Sequence, residues 1–313
     1  MKYVEHINKV IRERIAGHSN LVLFGQNISA GSCISGLTKD LSVKGNSRII
    51  NSTNSENSLC GLGFGLMMGG ASAVFFMKQL DFLTLGIDHL VNTYNIIRNM
   101  PEYYPGSFTI MPVIMDHGYQ GAQSSFNNFS DICSMARVPG FAVTNKTDAE
   151  KIISAHMVSP GFRIIGVSQR LFNEELIVPD KCVFASEGGE LFQYSDGQGA
   201  TIICFNFSYP YGYALLRELG NNGIRASLFN VNALTPIDWE PVKQNVIKTK
   251  RIILIDDSKS QNLSAYALLA DLYNIKLDKK IVITRKISDN WLNPVSDEMR
   301  IDNEKIIREL KNK

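Results

Sequence analysis

The chain lacks paired cysteines. Its five, Cys33, Cys60, Cys133, Cys182 and Cys204, are odd in number, widely spaced and free of any CxxC. That argues against a disulfide framework or a zinc site and leads us to expect buried thiols in a reducing compartment. It also lacks an excess of charge. Thirty-two Lys+Arg against 30 Asp+Glu give a net +2, and no basic stripe follows the chain as it would to track a phosphate backbone. Signal-peptide character is absent from MKYVEHINKVIRERIAG. Val4, Ile7, Ile11 and Ile15 fall instead on one helical face between charges, so we expect a cytoplasmic protein. There is no GxxxxGK[ST], no HExxH and no GxSxG, and GLGFGL only loosely resembles a dinucleotide fingerprint. Internal repeats and low-complexity segments are missing too.

What is present is ordinary in amount. The composition is 44% hydrophobic and 20% charged over 313 residues, enough apolar material for cores in two domains. One stretch stands apart. From Leu59 to Met77 no residue carries a charge at neutral pH, and Glu56 sits at its head. Nineteen residues would just span a bilayer. Its five glycines and the strand-like ending SAVFFM argue instead for a soluble helix followed by a turn and a strand. Gly61, Gly65 and Gly69 recur every four residues, the spacing of one helix face that can press close to another element.

Apolar, β-branched runs predict strands at 21–25, 47–52, 71–77, 108–115, 140–145 and 162–168. Helical patterns lie between them at 56–68, 85–99, 126–136 and 148–157, with Asp148 as N-cap of the last. Residues 173–199, with EGGE and SDGQG, read as a connection. A second series follows: strands at 200–206, 224–231, 251–257 and 280–287, helices at 210–219, 261–274 and 297–311. Alternating strands and helices imply an α/β fold with two three-layer α/β/α domains on mostly parallel sheets, residues 1–185 and 186–313.

Ligands in such sheets bind beyond the carboxyl ends of the strands, which singles out a few side chains. Glu56 follows strand 47–52 and opens the glycine-rich helix. A carboxylate beside apolar surface can share a proton with a ligand nitrogen; it is equally a first-turn acid that complements the helix dipole, with Ser52, Thr53 or Ser55 as cap. Phe82 follows strand 71–77, in reach of a ligand or in the core. His117, in MDHGYQGAQSS, ends strand 108–115 and could act as acid or base, or be structural or solvated. Lys78, Arg137 and Lys259 are cations that a substrate phosphate could meet, each equally a solvated charge.

In this order these pieces resemble transketolase-type thiamine diphosphate enzymes over essentially the whole chain. The resemblance is to the pyrimidine-binding plus C-terminal half of split transketolases and to the beta subunits of 2-oxo acid dehydrogenase first components. It is carried by RIINSTNSENSLCGLGFGLMMGGASAVFFMKQLDFLTLGIDHLVN, GYQGAQSSFNNFSDICSMARVPGFAVTNKTDAEKII and GIRASLFNVNALTPIDWEPVKQNVIKTKRIILIDD. It implies that Glu56 bonds the aminopyrimidine nitrogen of thiamine diphosphate and promotes its imino tautomer, that Phe82 stacks on the pyrimidine, and that Asn54 lies beside the cofactor. It implies that Gln123 and Ser124 of GAQSS lie at the substrate, and that the uncharged helix packs at a subunit interface. The family holds the diphosphate through Mg²⁺ with a GDG…N motif in a separate domain. No such motif occurs here, which implies a partner subunit and an α2β2 assembly.

The chain departs from the family at telling positions. Ser124 stands where dehydrogenase beta subunits carry the histidine of AQHS, and His117 is the nearest histidine that could substitute. Asn54 replaces an apolar residue, Lys78 an apolar or neutral one, and Gln26 stands where relatives often have an acid. These changes point to a polar or anionic substrate other than pyruvate. Three readings result: a transketolase-like two-carbon transferase or ligase acting on a specialised sugar, the beta subunit of an oxidative decarboxylase that passes an acyl group to a lipoyl protein, and a paralogue that kept the fold without the chemistry.

Overall fold

The structure is a computed structural model with no bound groups. It describes residues 1–101, 104–117, 126–233, 238–260, 262–285 and 299–312. Two six-stranded, mostly parallel sheets carry helices on both faces, the α/β architecture that the strand–helix alternation predicts.

The first sheet has the order β2-β1-β3-β4-β6-β5, all parallel. Its strands are β1 (Leu21–Gly25), β2 (Arg48–Asn51), β3 (Ser72–Met77), β4 (Ser107–Ile114), β5 (Gly140–Val143) and β6 (Gly161–Ser168). Strand alternation splits the core. Leu21, Leu23 and Val74 face α1 (Tyr3–Ile15) and α5 (Lys146–His156). Phe24, Phe75 and Phe108 face α2 (Glu56–Met68), α3 (Tyr94–Arg98) and α4 (Phe129–Ala136). The order reverses between β1 and β3, so a crevice opens beyond their carboxyl ends.

The second sheet runs β12-β11-β9-β10-β8-β7. The central strands β9 (Ala200–Phe205), β10 (Ala226–Val231), β11 (Arg251–Asp256) and β12 (Lys279–Thr284) are parallel. Helices α6 (Tyr209–Asn221) and α9 (Asn303–Lys311) cover one face, α7 (Glu240–Thr249) and α8 (Ala265–Asp271) the other. The stretch expected to be a connection instead supplies β7 (Phe184–Ala185) and β8 (Leu191–Ser195); β8 adds antiparallel to β10, and β7 antiparallel to β8. LFQYS satisfies its backbone groups there, and only its flanks are turn-like. Helix α7 also escaped the sequence pattern.

Two further expectations need correcting. The helix at 85–99 is a succession of a 3₁₀ turn (Leu80–Gly86), a π-helical turn (His89–Thr93) and α3, which together bury Leu83, Leu90 and Ile97. Asp148 does not cap α5. Asn145 does, its side chain accepting from the N–H groups of Thr147 and Asp148 at 2.9 and 3.2 Å. Asp148 reaches back to the Asn145 N–H at 3.1 Å, a reciprocal box that ends β5 at Val143.

The described part of the uncharged stretch divides between α2 and β3. Among the described residues no helix is long and apolar enough to cross a membrane. The glycine spacing holds only at Gly61, where an added Cβ would lie 3.1 Å from the His89 ring. Gly65 faces open space. The position that needs glycine is Gly63, where a Cβ would fall 2.2 Å from the Phe108 ring.

Candidate functional site

The strand ends fix the site. β1 closes on Gly25, where any Cβ would fall 2.2 Å from the Phe76 carbonyl oxygen. Only glycine lets β1 and β3 lie this close as the chain leaves the sheet. The Ser52 N–H donates to the Gly25 carbonyl at 3.0 Å. The Asn51 side chain accepts from the Ser29 N–H at 3.0 Å and donates to its hydroxyl at 2.8 Å. The end of β2 is thereby tied to the loop after β1, and α2 starts beside the crevice.

Glu56 is the first residue of α2 and is 9% exposed. Its carboxylate makes no hydrogen bond or ion pair among the described residues. Ser55 occupies the N-cap position, but its hydroxyl donates to that of Ser58 at 3.0 Å rather than capping the helix. One turn on, the Cys60 thiol is pushed up to about 12, by burial first and then by the Glu56 charge. Its place in the first turn suits the helix dipole, and its oxygens remain open to a donor from a ligand.

Phe82 lies half-buried in the 3₁₀ turn after β3. That turn packs on the start of α2. A Cβ at Gly86 would sit 2.5 Å from Cys60 Sγ and 3.2 Å from the Glu56 carbonyl oxygen, and the Asn57 side chain donates to the Leu85 carbonyl at 3.4 Å. The fold thus brings the acid and the ring onto neighbouring turns. Asn54 is exposed in the loop before α2.

His117 is exposed just past β4. Its neighbour Asp116 is fully buried. The Asp116 carboxylate accepts from Ser168 Oγ at 2.5 Å and from the Arg170 N–H at 3.0 Å, and pairs with the Arg170 guanidinium at 3.4 Å. The structure therefore places His117 at the same end of the sheet as Glu56 and Phe82, with no hydrogen bond or ion pair joining them. Gln123 and Ser124 lie outside the described residues.

A cavity of about 120 Å³ occupies the crevice. Gln26 and Asn27 after β1, Lys78 and Gln79 after β3, and Ser32 and Ser35 line it. Gln26 and Lys78, two of the departures visible in the sequence, meet here. The Asp116–Arg170 anchor and this clustering were missed; each joins residues far apart in the chain. No group of three or more His, Cys, Asp or Glu that could hold a metal occurs among the described residues.

No family profile matches the chain. It is 21% identical over 266 residues to the mitochondrial pyruvate dehydrogenase E1 component subunit beta-1 of Arabidopsis thaliana, covering 82% of this chain and 72% of that protein. It spans 56% of the corresponding subunit of Rhizobium meliloti, at 21% identity over 82% of this chain. Among solved structures it superposes on a split-gene transketolase in an inactive beta4 tetramer with a TM-score of 0.66 and 15% identity, covering 98% of this chain and 96% of that one. On the transketolase of Campylobacter jejuni the TM-score is again 0.66, at 9% identity over 99% of this chain but only 44% of the other. The chain therefore has the fold of transketolases and sequence likeness to pyruvate dehydrogenase E1 beta subunits, matching the transketolase-type thiamine diphosphate family that its motifs resemble.

Proposed function

We propose that this chain is the pyrimidine-binding subunit of a split thiamine diphosphate enzyme that transfers or ligates a two-carbon unit, active with a partner that carries the diphosphate domain. The observation that carries this reading is Glu56, nearly buried and with no hydrogen bond or ion pair among the described residues, on the turn next to that of Phe82. This pair fits the cofactor: a carboxylate awaits a nitrogen-bound proton, and a ring offers a flat apolar face. When bound, thiamine diphosphate supplies a nucleophilic carbon for cleaving or forming the bond next to a carbonyl. Glu56 holds the proton at its Oε atoms and fixes the tautomer of the ring it meets. Phe82 orients that ring. The floor of buried apolar side chains behind them excludes water.

The likeness to a split-gene transketolase over 98% of this chain and to pyruvate dehydrogenase E1 beta subunits supports a partner subunit holding the Mg²⁺ and diphosphate. The outer face of α2, where Leu62 is 46% exposed and Gly65 open, suits a subunit contact in an α2β2 assembly. Sequence likeness to pyruvate dehydrogenase E1 beta subunits favours a second reading, oxidative decarboxylation with acyl transfer to a lipoyl protein. The test is co-purification from the native host followed by native mass spectrometry. A second subunit retained with thiamine diphosphate and Mg²⁺ supports the proposal. Ketose–aldose transfer by that complex selects the first reading, and lipoyl-dependent turnover the second. A chain that returns alone and takes up no cofactor sinks both.

A further inference from the structure

The crevice cavity carries two observations that neither Glu56 nor Phe82 accounts for. The first is its chemistry. Among the described residues Lys78 is the only ionisable one on its wall, and it has no hydrogen bond or ion pair with any of them. Around it stand the carboxamides of Gln26 and Asn27 and the hydroxyls of Ser32 and Ser35. This set offers one full positive charge and several neutral donors, with no carboxylate among the described residues of the wall.

The second is backbone strain in the same wall. Cys33, Ile34 and Ser35 all have left-handed backbone angles, with φ of 49°, 50° and 54°. Gly31 and Gly36 flank them at 59° and 95°. The left-handed turn is closed by Gly36 N–H to Ser32 carbonyl at 2.9 Å and Thr38 N–H to Cys33 carbonyl at 3.1 Å. Left-handed geometry is unfavourable for any L-residue with a Cβ and worse for a β-branched one. Strain of this kind persists where surrounding structure enforces it, and it gathers at ligand sites. Here Ile34 is 6% exposed and joins the core, and Ser32 and Ser35 line the cavity.

We propose that this cavity is an anion subsite, in which Lys78 receives the carboxylate or phosphate of a small hydroxylated molecule while the amide and hydroxyl groups receive its hydroxyls. Its assignment to the substrate rests on the thiamine reading above; the anion site itself does not. Charge-assisted bonds to one ammonium dominate such recognition, so neutral analogues bind poorly.

The test is calorimetric titration of the full chain, without cofactor, using glycerate, glycerol 3-phosphate and glycerol. We expect saturable binding of at least one anion and none of glycerol; the tighter anion tells carboxylate from phosphate. Lys78→Met should weaken binding by at least about tenfold, and Lys78→Arg should largely restore it. Gln26→Glu, which adds a carboxylate across the cavity from another strand end, should weaken it as well. Lys78 is exposed and unpaired among the described residues, so these variants keep the fold, and circular dichroism checks this. The proposal is overturned if no anion saturates, if glycerol binds as well as the anions, or if Lys78→Met or Gln26→Glu leaves affinity unchanged. A chain that binds anion yet never takes thiamine diphosphate with its partner would sink the thiamine reading and leave the subsite standing.

Discussion

Glu56 is 9% exposed, and its carboxylate has no hydrogen bond or ion pair among the described residues, an asymmetry that separates function from stability. Glu56→Gln preserves shape and removes only the charge. In the assembled enzyme it should lower turnover by about 10²–10⁴, the usual worth of a positioned proton-transfer group. In the chain alone it should leave the urea midpoint unchanged or raise it, since no native partner is lost. A large loss of stability with intact turnover would mean that Glu56 is structural. Phe82→Ala should weaken cofactor binding by about 2–10-fold, the equivalent of about 0.5–1.5 kcal/mol for a ring contact, as read by cofactor titration of the complex. The sequence singles out both residues because each stands at a strand end on a stretch that resembles the family's. The cavity wall was not. Cys33, Ile34 and Ser35 carry no turn signature, and their left-handed angles are imposed by packing that a local pattern does not record.

Helix α2 shows how one element serves two faces. Its inner face seats Phe64 and Met67 in the core and lays Gly63 on the Phe108 ring. Phe108 is itself held by Phe24, Phe64 and Phe162 at centroid distances of 6.4, 5.0 and 5.2 Å, so it has little freedom to retreat. Gly63→Ala should therefore destabilise the chain by about 1–3 kcal/mol, as overpacking does. Gly65→Ala meets nothing within 4 Å. It should stabilise the isolated chain by about 0.5–1 kcal/mol through helix entropy and weaken assembly if the outer face is a subunit contact. Chemical denaturation of both variants and native mass spectrometry of the second decide this. The sequence marked α2 to the residue, since a carboxylate opens it and glycines close it. The same sequence misled about which glycine mattered, because a period of four names a face and not what lies opposite. The missed strands β7 and β8 make a related point: they are short, sit among turn formers and exist only through pairing, β8 with β10 and β7 with β8.

The two sheets behave as one body because polar side chains stitch them together. The Ala142 N–H donates to the Asn232 carbonyl at 2.8 Å, and the Asn232 side chain returns a bond to the Ala142 carbonyl at 2.7 Å. Arg170, from the end of β6, pairs with Asp116 and, across the boundary, with Asp257 at 3.3 Å. Arg285 donates to the carbonyls of Asp116 and Asp257, each at 2.5 Å. At the centre of the other seam Asp148 accepts from Thr144, Asn145, Asn230 and Asn232. Shared burial of this extent predicts a single unfolding transition for the whole chain, seen as coincident fluorescence and circular dichroism curves in urea.

Asp148 also sets a pH dependence. Complete burial pushes its carboxyl up to about 6, against the hydrogen bonds that pull it down. In the unfolded chain the same group titrates near about 3.9. Between those values the folded state binds the extra proton, so stability falls as pH rises through the window. Asp148's favourable share is full below about pH 4 and is lost once pH has passed about 6. Asp148→Asn carries no proton to exchange. Its urea midpoint, plotted against pH, should lack the part of the wild-type decline between about pH 4 and 6 that this group supplies. The other buried acids, Asp256 and Asp257, contribute alike to both proteins, so the difference between the curves isolates Asp148. A difference that stays constant across the window would mean that Asp148 binds as many protons folded as unfolded there, so that the surrounding donors fully offset its burial.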